Sequence, residues 1–538
     1  MPNMFKKVID RLRWRQIPML ATAHAAGASL CSDLRSDLSR NPFVYQLASS
    51  TVLNRTNIIS KGSALVISPA LAGTFGAGAA VGFAPSFSAV GTLAAGATTT
   101  KIILSTALPT AVGLNMLANR GGSGDYGFKI RIIDTVAGKT EERYIAANTA
   151  SATPTIWLES ALSFTPATGA RYELVSGKVF MLGAGTTASN SWRSFEVGTN
   201  TLSTGLSTTG LPATIGTDTS MMVLDEQYTP YDCNPGEGMI KGAFLYDDGL
   251  VSDRYALVAT AAGASSLTGQ STLGDAVVVA NEFRNFQIRI VQDTTTPAAV
   301  GQRRIIASHT AGPSAVYTLG TAWTTTPSAN AKFVIELPNL ILLRSSATTT
   351  VYTYNYMDAT ISNGTNTIAS AAWSTTYFGV APANNAAGGM WAPSWGIRPD
   401  DGRNARHSFC YFFRGGATTL DVLDIAGSIT GTWTSGITYD GAMNLTTGTC
   451  GCYSPFENEG RMHYMNIYVS GQTTQIYRFD AQNRVLTPFA PTEMPFSGTA
   501  AVGNRMAAYA AFNGTEVYDV ILAQSHLSGM AQELLPLF

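Results

Sequence analysis

The chain of 538 residues carries 34 basic and 35 acidic side chains, a formal net charge of −1, and a charged fraction of only 13%, against a usual value of about 25%. Without a basic excess, tight nucleic-acid binding through phosphate neutralisation is excluded, and no run approaches the roughly 18 apolar residues of a membrane span. Five cysteines, an odd number, give no disulfide framework and point to folding in a reducing cytosol.

The length leaves room for about three or four domains. So little charge predicts that much of the surface ends against other protein. The other reading is a surface solvated by Thr, Ser and Asn.

At the N-terminus, Phe5, Val8, Ile9 and Leu12 recur at helical spacing, which predicts a helix ended by Pro18, with a second short helix over 21–38. Residues 1–40 thus read as a basic helical arm, docked either on a neighbouring subunit or on the domain's own surface. The arm lacks the apolar core of a secretory signal. From residue 41 the pattern turns β. Phe43–Leu47 with Val52–Ile58 is a strand pair, and the apolar tract 64–97 is broken by Pro69, Pro85 and many glycines into loop and short strand.

A unit then recurs: a near-continuous apolar strand, a Gly/Ser/Thr turn, and a strand carrying aromatic residues. It is seen at Val179–Val197, Leu340–Tyr356, Phe409–Ile425 followed by Trp433, Ile467–Asp480 and Met506–Ile521. The first strand of each unit suits burial on both faces, and the second alternates.

Between these units lies a duplication. Phe128-Lys-Ile-Arg-Ile132, Arg143-Tyr-Ile-Ala-Ala-Asn-Thr149 and Ala170-Arg-Tyr-Glu-Leu174 reappear as Phe286-Gln-Ile-Arg-Ile290, Arg304-Ile-Ile-Ala-Ser-His-Thr310 and Ala331-Lys-Phe-Val-Ile335. From Arg143 onward the offset is a constant 161. A repeated small β module builds scaffold surface rather than an active site, which favours a structural or assembly role.

Catalytic and metal chemistry find no constellation in this sequence. His24, His309, His407, His463 and His526 are scattered, and Cys450-Gly-Cys452 is too tight for a zinc half-site and has no second pair. Asp247-Asp248 and Asp400-Asp401 sit beside glycine, as turn residues do. Gly121-Gly-Ser-Gly124 precedes a strand rather than a helix and fails as a phosphate loop. The expectation is a non-enzyme with no cofactor and no metal.

The Phe409–Trp433 stretch, a strand followed by Gly-Gly, an aspartate-bearing strand and then Trp, resembles a kelch blade. That resemblance implies a kelch-like β-propeller of about six blades, and with the duplication and the N-terminal pattern the chain reads as mainly β, with two homologous inserted β modules and an N-terminal helical arm. The blades fall at 41–70, 178–205 and 338–538, with module 1 at 71–177 and module 2 at 206–337.

The Ala/Gly/Thr-rich composition, the turn-dense stretch 69–76 and the paired Ile-Arg-Ile modules are similar in style to structural proteins of tailed-phage virions. Within these, tail nozzle and hub proteins combine propellers with inserted β domains. The resemblance implies a homo-oligomeric ring in the tail or neck, made in the bacterial host cytoplasm and resident in the virion. It would contact other tail, neck or portal-adaptor proteins and pass DNA without sequence-specific binding. Candidate interface residues are Phe5, Leu12 and Trp14 on the arm, and Arg131 and Arg289 as equivalent positions in the modules, where they are either subunit contacts or intramodule strand pairs. The alternative is a receptor- or glycan-binding propeller adhesin, which requires an exposed aromatic cluster at one end.

Overall fold

The computed structural model describes residues 12–17, 29–32, 43–49, 52–57, 65–66, 75, 79–109, 112–118, 128–183, 185–186, 191–216, 219–226, 256–270, 279–345, 348–392, 409–454, 464–469, 476–480, 483–488, 505–512, 517–524 and 531–536. Among these the chain is almost wholly β, and its one helical element is the 3-10 turn Pro297–Ala299.

Six antiparallel sheets of four strands form a propeller-like array. The first comprises Ser29–Ser32, Phe43–Ser49, Val52–Asn57 and Leu65–Val66, and the second Ala80–Ala84, Lys178–Leu182, Trp192–Glu196 and Thr201–Leu202. The third holds Ser220–Leu224, Leu340–Arg344, Tyr352–Asn355 and Ala372–Ser374. The fourth holds Ala386–Ala392, Phe409–Gly415, Leu420–Asp424 and Thr432–Ile437, and the fifth Cys450–Ser454, Tyr464–Tyr468, Tyr477–Asp480 and Val485–Pro488. The sixth runs Arg505–Phe512, Val517–Gln524, Ala531–Pro536 and then back to Leu12–Ile17.

The first strands of these sheets follow one another in a cycle: the first sheet's strand neighbours those of the second and the sixth, and each of the others neighbours the next. Their sequences hold one charged residue, Arg505, and nearly all their described positions are buried or nearly so. The strands that line the centre of the array are therefore poor in charge.

Neighbouring sheets meet through aromatic rings. Tyr45 of the first sheet stacks on Phe83 of the second, and Trp192 of the second meets Tyr354 and Trp373 of the third at 5.0 and 5.1 Å. Between the third and fourth, the Arg344 guanidinium lies 4.0 Å from the Phe412 ring centre, and Phe413 and Tyr439 of the fourth close on Phe479 of the fifth. Each fully buried ring contributes on the order of 1.5–3 kcal/mol of apolar burial. That explains why the units recognisable in the sequence are the aromatic ones.

Three expectations change here. The N-terminal helix is absent over its described part: Leu12–Ile17 is a strand paired with Ala531–Pro536 from Leu12↔Pro536 to Ile17↔Ala531, and Ser29–Ser32 within the second expected helix is also a strand. Pairing with a distant strand overrides the local periodicity. The modules also do not lie between sheets. Ala80–Ala84 and Lys178–Leu182 pair directly, as do Ser220–Leu224 and Leu340–Arg344, so each module is inserted between the first and second strands of its sheet. The boundaries 71–177 and 206–337 thus each swallowed a strand of the array.

Each module closes on itself. In the first, Ala89–Thr92, Arg171–Val175, Lys129–Asp134, Lys139–Asn148, Thr155–Leu158 and Lys101–Ile103 pair in turn, and a Leu93–Leu104 bridge completes the circuit. In the second, Leu257–Gly263, Lys332–Glu336, Gln287–Gln292, Arg303–His309, Ser314–Leu319 and Ser266–Gln270 repeat that order and return to Leu257–Gly263. Inward residues such as Ile130, Ile132, Ile145 and Leu174 fill the first barrel, and Ile288, Ile290, Ile305 and Phe333 the second. The two barrels are joined edge to edge where Lys139 pairs with Gln292.

Candidate functional site: the charged seam between the modules

Residues that match between the modules do matching structural work. Asp134 Oδ1 accepts the Val136 and Ala137 amides and Oδ2 the Ala167 amide. Asp293 does the same with Thr295, Thr296 and Ser328. Arg143 donates to the carbonyls of Ala161 and Glu142, as Arg304 does to those of Ala322 and Arg303. Asn115 and Asn281, both in the left-handed region at φ 57° and 63°, accept the backbone amides of Asn148 and His309.

The seam is built where the copies diverge. Arg131 and Arg289 occupy the same register position in the two barrels. The residue opposite Arg131 is Glu142 on one side and Glu173 on the other, whereas Arg289 faces Arg303 and Val334. The second module therefore has a guanidinium, Arg303, where the first has a carboxylate, Glu142, and Arg303 reaches across the seam to Glu173.

Arg131 contacts Glu142 at 2.5 Å, Glu173 at 2.8 Å and Glu226 at 2.5 Å, and Arg303 contacts Glu173 at 3.2 Å and Glu226 at 3.3 Å. Arg289 grips Glu336 with two hydrogen bonds of 2.9 Å, a fork geometry that only arginine supplies. Gln287 donates to both Glu336 and Glu226. Glu226, two residues after the first strand of the third sheet, ties the array to both barrels. At the rim, half-exposed Arg171 bonds Glu173 and also Asp358 of the third sheet's loop.

Three arginines and four glutamates are buried here, with Arg131, Glu142, Glu173 and Glu226 showing 0% side-chain exposure. Burial pushes Glu173 upward, but Arg303 and Arg131 outweigh it and hold the carboxyl at about 2. Glu226 is likewise pushed up by burial and pulled below the usual carboxylate range by Arg131, Arg303 and Arg289. Burial raises Glu336, and the Glu226 charge adds to that rise against the pull of Arg289. Four glutamate carboxyl groups thus face three guanidinium groups in one buried cluster. Sealed from water and densely ion-paired, the seam is suited to holding two barrels in a fixed relation, not to exchanging protons with a substrate.

Of the sequence-derived interface residues, the structure brings Arg131 and Arg289 into the seam. Phe5 lies outside the described residues, as does Gly121–Gly124. Leu12 and Trp14 lie on the strand that completes the sixth sheet, so they belong to the array and not to a free arm. Arg131 and Arg289 are 0% and 1% exposed, and a residue with no surface cannot meet another subunit. Of the two readings, the intramodule strand pair is what the geometry shows. Sequence reasoning missed Glu173, Glu226, Arg303 and Glu336. The aligned Glu142/Arg303 mismatch was the one visible signal of a seam.

Among the described residues no group of three or more His, Cys, Asp or Glu side chains is placed to hold a metal ion. Cys450 and Cys452 are buried in the first strand of the fifth sheet. Of the aromatic side chains described, Trp157 is the one more than a third exposed, at 40%. No described helix is long and apolar enough to cross a membrane.

No protein-family model matches the chain, and no curated protein matches it. Among solved structures it is similar to Sqt1 of Saccharomyces cerevisiae, with 8% identity and a TM-score of 0.28 over 98% of this chain and 100% of that one. It is also similar to an auxiliary nutrient binding protein of Bacteroides thetaiotaomicron, at 10% identity and TM-score 0.23 over 82% and 95%. The NanB sialidase of Streptococcus pneumoniae matches at 9% identity and TM-score 0.23 over 95% and 82%. Likenesses at these scores carry no argument about this chain, and the account of the fold rests on its own strand pairing.

Proposed function

We propose that this chain is a non-enzymatic structural component of a tailed-phage virion. In this reading six blades carry a locked pair of barrels, and copies assemble into a homo-oligomeric ring in the tail or neck. The observation that supports it most is where the charge goes. Of 34 basic and 35 acidic residues, fifteen are buried among the described residues, which leaves a poor outer surface for a solitary soluble protein. Depletion of charge is also what the core of a protein–protein interface shows.

The barrel pair, fixed on two neighbouring sheets, gives the ring one asymmetric face for contact with other virion proteins. In this proposal the DNA path runs between copies, through the ring. The near-neutral chain lets DNA pass without gripping phosphate.

The test is the mass of the full-length protein in solution by sedimentation, with class averages from electron microscopy. A symmetric ring of several copies is the expected result. A monomer at every concentration, combined with binding on a glycan array, would overturn the proposal in favour of a receptor-binding adhesin.

A further inference from the structure

The duplicated modules solve one local problem with two different side chains. In the first, Asn148 Oδ1 accepts the Leu117 amide at 2.9 Å and holds the loop 112–118 against the barrel. In the second, the equivalent His309 accepts the Phe283 amide on Nε2 at 2.9 Å. The His309 Nδ1 lies 2.8 Å from the Thr310 carbonyl oxygen. A carbonyl only accepts, so Nδ1 carries the proton and Nε2 presents a lone pair. The ring is 5% exposed, stacked on Phe283 at 5.3 Å and tilted against Tyr317 at 5.4 Å.

The loop that His309 secures does more than its counterpart. Asn285 donates to the carbonyls of Ile425 and Ser428, and Arg284 to those of Ala426 and Gly427, in the turn between the third and fourth strands of the fourth sheet. Asn363, from the third sheet's loop, bonds both Asn285 and the Ile429 carbonyl. The loop 279–286 is thus the strap between the second barrel and the sheet beyond its own.

We propose that His309 is an acid-sensitive latch: protonation at Nε2 ejects the Phe283 amide, frees the loop 279–286 and releases the second module from the fourth sheet. A second proton on the ring sets two N–H donors against each other in a buried site, and a buried donor without an acceptor is costly. The charged groups around the ring do not offset this. Arg284 on the strap disfavours the cation, Glu282 on the same loop acts on the neighbouring Tyr317, and Tyr317 spends its hydroxyl on the Gln270 carbonyl. Burial is the largest influence and holds His309 below its ordinary 6.5, with Arg284 adding to it against the Thr310 carbonyl. With the folded value depressed, the latch is fully closed above about 6.5 and weakens as the pH falls below it.

The first module is the built-in control, because Asn148 does not titrate. Hydrogen exchange of full-length wild type and His309→Asn, compared at each pH from 7.5 to 5, reads the latch directly, since the intrinsic rate cancels. Segments 279–286 and 425–431 are expected to exchange alike in the two proteins at pH 7.5. Wild type should then run ahead by up to about tenfold per pH unit below 6.5, the limit for one proton, while segment 112–118 stays matched. His309→Gln supplies the same acceptor on a longer stem should the Asn variant fold poorly. Equal exchange in wild type and variant at every pH would overturn the latch, and so would an acid response spread evenly over the whole chain.

Discussion

Glu226 faces Arg131 at 2.5 Å and Arg303 at 3.3 Å with no solvent to share the field. Replacing it with Gln keeps the shape and removes the charge, which strips Arg131 and Arg303 of the carboxylate they share. Stripping one partner from a buried ion cluster costs about 3–5 kcal/mol, and urea unfolding of Glu226→Gln is expected to show a loss of that size. Glu173 adds a pH signature. Its carboxyl sits at about 2 in the fold against an ordinary 4.5, so the unfolded chain takes up the proton first. Its contribution is complete above pH 4.5 and is lost as the pH falls toward 2. Over that window wild type should lose about 3 kcal/mol more than Glu173→Gln. Parallel stability curves for the two proteins would show that the seam is not held by this charge.

At the scale of elements, the join between the barrels is a single backbone pairing at Lys139 and Gln292, and the residue before Lys139 fixes how close the barrels come. Gly138 has φ +66°, its carbonyl accepts the Asp293 amide, and an added Cβ would lie 2.2 Å from the Asp293 oxygen. Gly169, at φ +83° with nothing within 4 Å, isolates the backbone strain from the collision. Gly169→Ala is expected to cost about 1–2 kcal/mol of strain. Gly138→Ala should cost clearly more and raise hydrogen exchange in both 134–140 and 290–296. Equal losses from the two variants would mean the barrels adjust at the seam without strain.

This join was only half legible. The second and third strands of five sheets, and the first two of the sixth, stood out in the sequence, most of them marked by aromatic residues. The repeat revealed two related modules because Arg143/Arg304 and Ala170/Ala331 keep their spacing. The first strands of the other five sheets did not stand out, since strands such as Ser29–Ser32 and Ala386–Ala392 are short or rich in Ala and Gly and carry no distinctive periodicity. The ion pair between the copies is Arg303 with Glu173, and the Glu142/Arg303 mismatch that hinted at it gains meaning only once both barrels are placed side by side.

For the whole molecule, the decisive pairing spans the sequence. Leu12–Ile17 completes the sixth sheet beside Ala531–Pro536, so the two ends of the chain close the cycle of sheets. The local pattern around Phe5 and Leu12 suggested a helix because the strand's partner lies more than five hundred residues away, beyond any window of periodicity. It follows that deleting residues 1–17 tests closure of the fold and cannot test an arm between subunits. The loss of six paired positions, at about 0.5–1.5 kcal/mol for each net hydrogen bond, is expected to cost several kcal/mol and to bare the edge of Ala531–Pro536. An open edge of that kind invites association, so the truncated protein should melt earlier and also aggregate. A circular permutant joining Phe538 to Met1 by a short linker, and cut between Val485–Pro488 and Arg505–Phe512, keeps the strand and the closure. It should melt within a few degrees of wild type. If the truncation instead matched wild type in melting while the permutant failed, closure would depend on some other contact, and the strand would be free to serve an assembly role after all.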